Sequence, residues 1–187
     1  MNLEDHAAGA HFHPDSINPA LEGVRFCPRC GATPRVDFPR SLHCEHCGYA
    51  AFYNPKPVAG AIPRERDGSV WLLRRGFDPA AGLWTFPGGF VDLGESVAMA
   101  ARREAREELE IDVELRELVG VYSRPEDRVV LVVYAARITG GDPRPTAEAP
   151  EIQAFAPDEL PWEELAFWST EQALRDLLDG AAPPARD

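Results

Sequence analysis

Lysine is almost missing from this chain: of its 19 basic side chains only Lys56 is a lysine, set against 31 acids for a net charge of −12. Affinity for nucleic acid comes largely from cations that neutralise phosphates, so this balance disfavours nucleic acid as the main partner. No apolar run approaches the roughly 20 residues a membrane-crossing helix needs. Met1 to Ser16 carry acids and histidines in place of a basic segment followed by an apolar one, so the expected compartment is the cytoplasm. At 187 residues two full-sized domains would not fit comfortably; one ordinary domain with a small appendage does, and homodimer formation is left open. An acidic protein that acts on an anion needs metal cations to mediate the contact, and the rest of the sequence supplies places for them.

Residues 1–24 mix prolines and glycines without a hydrophobic period and read as a loosely ordered lead-in, with His6, His11 and His13 as tail histidines of no specific role. The pattern then changes. Cys27-Pro28-Arg29-Cys30-Gly31 and Cys44-Glu45-His46-Cys47-Gly48 form a paired C-x2-C signature, with 13 residues between Cys30 and Cys44. Each pair can set two thiolates on one tight turn whose following glycine accepts positive φ, and two such turns build a tetrahedral zinc site. Disulfides and a thioredoxin-like redox pair are the alternatives; a reducing compartment disfavours the first, and two copies of the motif disfavour the second. Four cysteines close the coordination sphere, so the zinc is expected to be structural and His43 and His46 bystanders. Residues 25–53 are therefore read as a zinc ribbon, and 54–187 as the main domain.

Asn54-Pro55-Lys56-Pro57 reads as a stiff extended connector. Strands are expected over 58–64 and 69–75, over 113–122 and 129–138, and briefly over 151–155, with loops at 77–83 and 139–150. One helix is expected to start near Ser96 with Val97, Ala100, Ala101, Ala105 and Leu109 on its inner stripe, and a second over 169–178 with Ser169 or Thr170 as its cap. Strands and helices that alternate without regular βαβ spacing imply an α+β fold, a mixed β-sheet between helices.

On the first helix Glu104, Glu107 and Glu108 stand at i, i+3 and i+4, which places three carboxylates on one face. Alone, such a triplet is a solvated face neutralised by Arg102, Arg103 and Arg106. The loop before it changes that reading: Gly88-Gly89 lets the backbone approach a ligand, Glu95 follows six residues after Gly89, and Arg103 eight residues later. The segment from Gly89 to Ile111 resembles the Nudix box, in which a glycine, five residues, a glutamate and seven residues precede Arg-Glu-apolar-any-Glu-Glu-any-Gly-apolar. Every charged position matches, and Glu110 stands where the family has glycine. Glycine after a helix serves as a left-handed cap, so Glu110 either accepts about 1 kcal/mol of strain or lets the helix run on.

The resemblance implies a Nudix fold, an α-β-α sandwich, and hydrolysis of the diphosphate bond of a nucleoside diphosphate derivative with release of a nucleoside monophosphate. It implies Mg2+ or Mn2+ on Glu104, Glu108 and the Gly88 carbonyl, with Glu107 holding a second ion or its water and Arg103 positioning a glutamate. Outside the box, Glu151 or Glu148 would act as general base, with Glu151 preferred. For the substrate, Tyr53, Tyr122 and Phe52 are stacking candidates, or else packing groups, and Arg74, Arg75 and Arg124 are phosphate-binding candidates. Pro125 lies fourteen residues past Ile111, near where members acting on ADP-ribose carry a proline, though a simple turn proline explains it as well. The ribbon and its proline connector resemble the front of NADH and FAD diphosphatases, but the sequence stretch that marks the NADH enzymes is missing after the box. A catalytically silent nucleotide sensor, its ribbon touching a partner or RNA, is the reading from a different class.

Overall fold

The computed structural model describes residues 18–180, so the lead-in histidines lie outside the described residues. The described residues fall into two compact units, the first running to Pro55 and including Glu126–Arg128, the second comprising the rest from Lys56 onward.

In the first unit three short antiparallel strands, β1 (Arg35–Asp37), β2 (Ser41–His43) and β3 (Ala50–Phe52), form a small sheet in that order. The end of the expected lead-in is built into this unit: Leu21 is buried and closes a turn onto the Asn18 carbonyl. The two cysteine pairs sit on matching turns. Cys27 N–H donates to Ala32 and Gly31 N–H to Cys27, just as Cys44 N–H donates to Tyr49 and Gly48 N–H to Cys44. Gly31 and Gly48 take φ of 77° and 70°, the left-handed geometry that makes glycine the residue of choice there.

The second unit is a seven-stranded mixed sheet among the described residues. Its backbone is the order β10 (Glu151–Phe155), β5 (Val70–Arg74), β4 (Lys56–Arg64), β9 (Val129–Gly140), β8 (Asp112–Tyr122), with β6 (Trp84–Thr85) on β5 and β7 (Gly88–Phe90) on β4. β4 and β9 run parallel; the other pairs are antiparallel. β4 is buried on both faces from Ala59 to Pro63, as a parallel strand covered by helices on either side must be. The expected connector is shorter than its sequence suggested, because Lys56 and Pro57 are already the first residues of β4. Pro57 has no N–H to give, but its carbonyl accepts from Val91.

Helix α1 (Val97–Leu109) covers one face, packing Ala100, Ala101, Ala105 and Leu109 against Ala59, Ala61 and Leu73. Small residues on both sides bring helix and strand backbones close. Ser96 is its N-cap, with the hydroxyl accepting from Met99 N–H at 3.2 Å. Helix α2 (Trp168–Asp179) covers the opposite face with Ala173, Leu174 and Leu177. Its cap departs from expectation: Phe167 occupies the N-cap with no side-chain bond, and Thr170 is buried in the first turn, its hydroxyl 3.1 Å from that of Thr85. Tertiary packing claimed the hydroxyl that capping would have used. A single 3₁₀ turn at Trp162–Glu164, with no periodic signal of its own, precedes α2.

Candidate active site

The α1 carboxylates are set by β7. Ala61 N–H donates to Pro87 and Val91 N–H to Pro57, so at the alternate residues Gly88 and Phe90 the backbone groups face away from β4. Gly88 N–H accordingly donates to Glu108 Oε2 at 2.8 Å, and the Phe90 carbonyl accepts from Arg103 Nη2 at 2.9 Å. The Gly88 carbonyl is turned to the same side. Close approach is obligatory here: a Cβ on Gly88 would lie 2.9 Å from the Ala59 carbonyl, and one on Gly89 would collide with the Glu104 carboxylate.

Arg103 organises the acids. Its Nε and Nη2 grip Glu95 at 2.8 and 3.0 Å, a bidentate pair, while Nη1 reaches Glu104 at 2.7 Å and Glu107 at 2.9 Å. The hydrogen bonds from Arg103 hold the Glu95 carboxyl below its ordinary range, and those same acids push the guanidinium pKa up. Glu108 stands apart from this clamp. It is 5% exposed, and burial, opposed by the Gly88 N–H and reinforced by the charge of Glu104, lifts its pKa to about 7. Burial raises Glu104 as well, against the pull of Arg103.

Burial is what disfavours the charged form of Glu104 and Glu108, a bound divalent cation would offset it, and the all-oxygen donor set suits Mg2+ or Mn2+. Arg103 is the present partner of Glu104 and Glu107, so both would turn from it to meet an ion.

The loop expected over 139–150 is drawn to this site. Arg144 N–H donates to the Leu109 carbonyl, Thr146 Oγ1 to that of Glu108 at 3.5 Å, and Gly76 N–H to that of Glu148. These bonds pin the 141–150 loop over the end of α1, so that the charge of Glu148 raises both Glu104 and Glu108. Glu151, the preferred base, lies instead against Arg74 at 2.8 Å, an ion pair without an aligned N–H. The same Arg74 binds Glu164 and the Gly82 carbonyl and stacks on Trp84, so both residues are committed to structure. Three positions in sequence separate the two acids: register pairs Glu151, the first residue of β10, with Arg74, whereas Glu148 sits in the loop before the strand.

Of the substrate candidates, Arg75 is near the acids. Its Nε donates to Pro79, its guanidinium lies over Phe77 and Phe167, and burial lowers its pKa against the pull of Glu108. Tyr122 is not a stacking surface: it is 5% exposed, and its hydroxyl donates to Asp176 Oδ2 at 3.0 Å inside the α2 core. Alternation along β8 turned it inward. Arg124 stacks on Trp168 at 3.8 Å. Tyr53 and Phe52 belong to the ribbon unit, where Tyr53 N–H donates to Arg40 and Phe52 meets the His43 ring edge-on.

Glu110 does take the glycine place. At φ 57° and ψ 32° it is left-handed, Glu110 N–H donates to the Arg106 carbonyl and Ile111 N–H to that of Ala105, and the helix ends at Leu109. The strained alternative is therefore the real one, and the carboxylate face is undisturbed.

In the ribbon unit the four cysteine sulfurs lie within 4.8 Å of one another, the one such convergent ligand set among the described residues. Sγ of Cys27 is 3.7 Å from that of Cys47, and Cys30 3.6 Å from Cys44. Those gaps exclude disulfides and approach the edge of roughly 3.8 Å that a tetrahedron with Zn–S bonds near 2.3 Å requires. The cluster fits zinc.

The NUDIX domain family matches residues 54–178, and the chain belongs to the Nudix family. It is 33% identical over 134 residues to the ADP-ribose pyrophosphatase of Methanocaldococcus jannaschii, covering 70% of this chain and 77% of that protein. It is 30% identical over 139 residues to the NAD-capped RNA hydrolase NudC of Pseudomonas aeruginosa, with 73% of this chain matched to 49% of that longer protein. A solved Nudix hydrolase from Nitrosomonas europaea superposes with a TM-score of 0.74 at 33% identity, covering 81% of this chain and 89% of the other. The fold and the enzyme class follow: this is a Nudix hydrolase, with a site for cleaving a pyrophosphate bond in a nucleotide derivative.

Proposed function

We propose that the chain is a Mg2+- or Mn2+-dependent diphosphatase acting on a nucleoside diphosphate derivative of the ADP-ribose, FAD or NADH class, with release of a nucleoside monophosphate. The observation that carries this reading is Glu108, a buried carboxyl whose one hydrogen-bond donor among the described residues is Gly88 N–H, beside Glu104 and Glu107 on the same helix face. Glu104, Glu108 and the Gly88 carbonyl are the assigned ion ligands, and Glu107 is assigned to a second ion or its water. Bound divalent ions would neutralise the diphosphate oxygens and acidify an attacking water. Arg103 is a positioning residue that keeps the acids aligned through Glu95. Glu148, with no ion pair among the described residues and with its charge felt at both buried acids, replaces Glu151 as the candidate general base. Arg75, beside Glu108, is the candidate anchor for a substrate phosphate.

The ADP-ribose pyrophosphatase and NudC relatives support a dinucleotide-like substrate. The intact helix face behind Glu110 favours catalysis over a silent sensor. Residues 25–53 are assigned to a structural zinc ribbon and 54–187 to the hydrolase domain.

A panel of ADP-ribose, NADH, FAD, dinucleoside polyphosphates and nucleoside triphosphates, assayed with Mg2+ and Mn2+, tests the proposal. One diphosphate-bridged compound is expected to yield a monophosphate. Glu108→Gln is expected to lower that kcat by about a thousandfold, the effect of losing ~4 kcal/mol of transition-state stabilisation. Near-normal turnover in Glu108→Gln would overturn the site, and turnover of triphosphates alone would overturn the substrate class.

A further inference from the structure

On the α2 side of the sheet, away from the carboxylates, lies a cleft of about 400 Å³ lined by Arg64, Arg66, Arg116 and Arg137 with Glu65 and Glu117. Register places it. Arg64 of β4 is paired with Arg137 of β9, and Arg137 with Glu114 of β8, so the three side chains form a row across three strands. Arg137 is two residues beyond Ala135 and four beyond Val133, both in the core under α2, and alternation puts it on that face. Arg137 is exposed and Arg64 and Glu114 are half-buried, so the row is open to solvent.

The charges are unevenly satisfied. Glu114 alone serves both Arg137 at 2.5 Å and Arg116 at 3.1 Å. Arg64 and Arg66 form no ion pair among the described residues. Of the two acids in the lining, Glu65 already accepts a hydrogen bond from Trp71 Nε1 at 2.9 Å. Four arginines, in a chain that carries 31 acids, thus line one concavity large enough for a small molecule. Each presents a planar fork of donors matched to phosphate oxygens. Ala135, Ala136 and Ile138 add apolar lining suited to an organic body.

We infer that this cleft is a second anion site, for a phosphate-bearing small molecule, separate from the catalytic face. Its two bare arginines receive the phosphate, and Arg116 and Arg137 exchange part of their shared Glu114 for it. The catalytic acids repel anions unless cations are present, so the two sites can be told apart by omitting divalent ions.

The test is an amide NMR titration of the zinc-loaded full chain with inorganic phosphate and with AMP, without added divalent ions. Saturable shifts are expected at residues 64–69, 116–117 and 135–138. Arg64→Ala/Arg137→Ala is expected to weaken them roughly tenfold or more, and Arg64→Lys/Arg137→Lys, which keeps the charge but not the fork, several-fold. Glu104→Gln/Glu108→Gln is expected to leave them in place. Tighter binding of AMP would assign the site to phosphate on an organic body, and equal binding to phosphate itself. No saturable shift with either ligand, or undiminished shifts in both arginine variants, overturns the proposal, whatever becomes of the catalytic reading.

Discussion

Replacing Glu108 by glutamine should make the protein inactive and, without metal at alkaline pH, more stable. Burial holds the Glu108 carboxyl at about 7 in the folded chain, against an ordinary value of 4.5. A carboxyl whose folded pKa is raised contributes stability that is complete below the unfolded pKa and is lost as pH climbs through the folded one. The wild type therefore forfeits stability between pH 4.5 and 7, by about 3 kcal/mol at 1.36 kcal/mol per pKa unit. Glutamine carries no charge to desolvate and can still accept from Gly88 N–H, while its amide hydrogens lack a ready partner at a cost of about 1 kcal/mol. The net expectation is a metal-free variant more stable than wild type by about 2 kcal/mol at pH 8, and level with it or slightly weaker at pH 5. Urea unfolding followed by tryptophan fluorescence reads this unit alone, because Trp71, Trp84, Trp162 and Trp168 all belong to it. Magnesium should then stabilise the wild type and leave the variant unmoved. A wild-type stability flat from pH 5 to 8, or a variant less stable at pH 8, would refute the assignment of Glu108 as a buried, charge-strained ion ligand.

Glu110→Gly should raise stability by about 1 kcal/mol, since the left-handed cap strains any residue with a Cβ; the urea midpoint checks it at constant slope. Gly89→Ala should raise the Mg2+ concentration needed for half-maximal activity, because the added methyl displaces the Glu104 carboxylate, with the thermal midpoint of the metal-free protein as control. Zinc removal should unfold the ribbon unit and leave the tryptophan-reported transition near its original midpoint, with elemental analysis giving one zinc per chain beforehand.

The local features were legible because they depend on spacing along one element. The period of small residues placed α1 and its buried stripe, the i, i+3, i+4 glutamates shared a face by helix geometry, and the C-x2-C-Gly repeats described two turns that the structure draws identically. The cap of α2 was not legible for the opposite reason: Thr170 has capping chemistry, but its hydroxyl is taken by Thr85, 85 positions away.

What the chain alone determined is the inventory: an acidic protein with a cysteine cluster, a Gly-Gly turn and a three-carboxylate helix, each written in neighbouring residues. Tertiary structure decided the roles of residues whose partners are remote in sequence. It buried Glu108 and lifted its pKa, bound Glu151 to Arg74 while leaving Glu148 beside the acids, turned Tyr122 into the α2 core, and lined up arginines from β4, β8 and β9 around one cleft. Burial and charge–charge interaction depend on distance through space, and only the packed sheet and helices determine those distances.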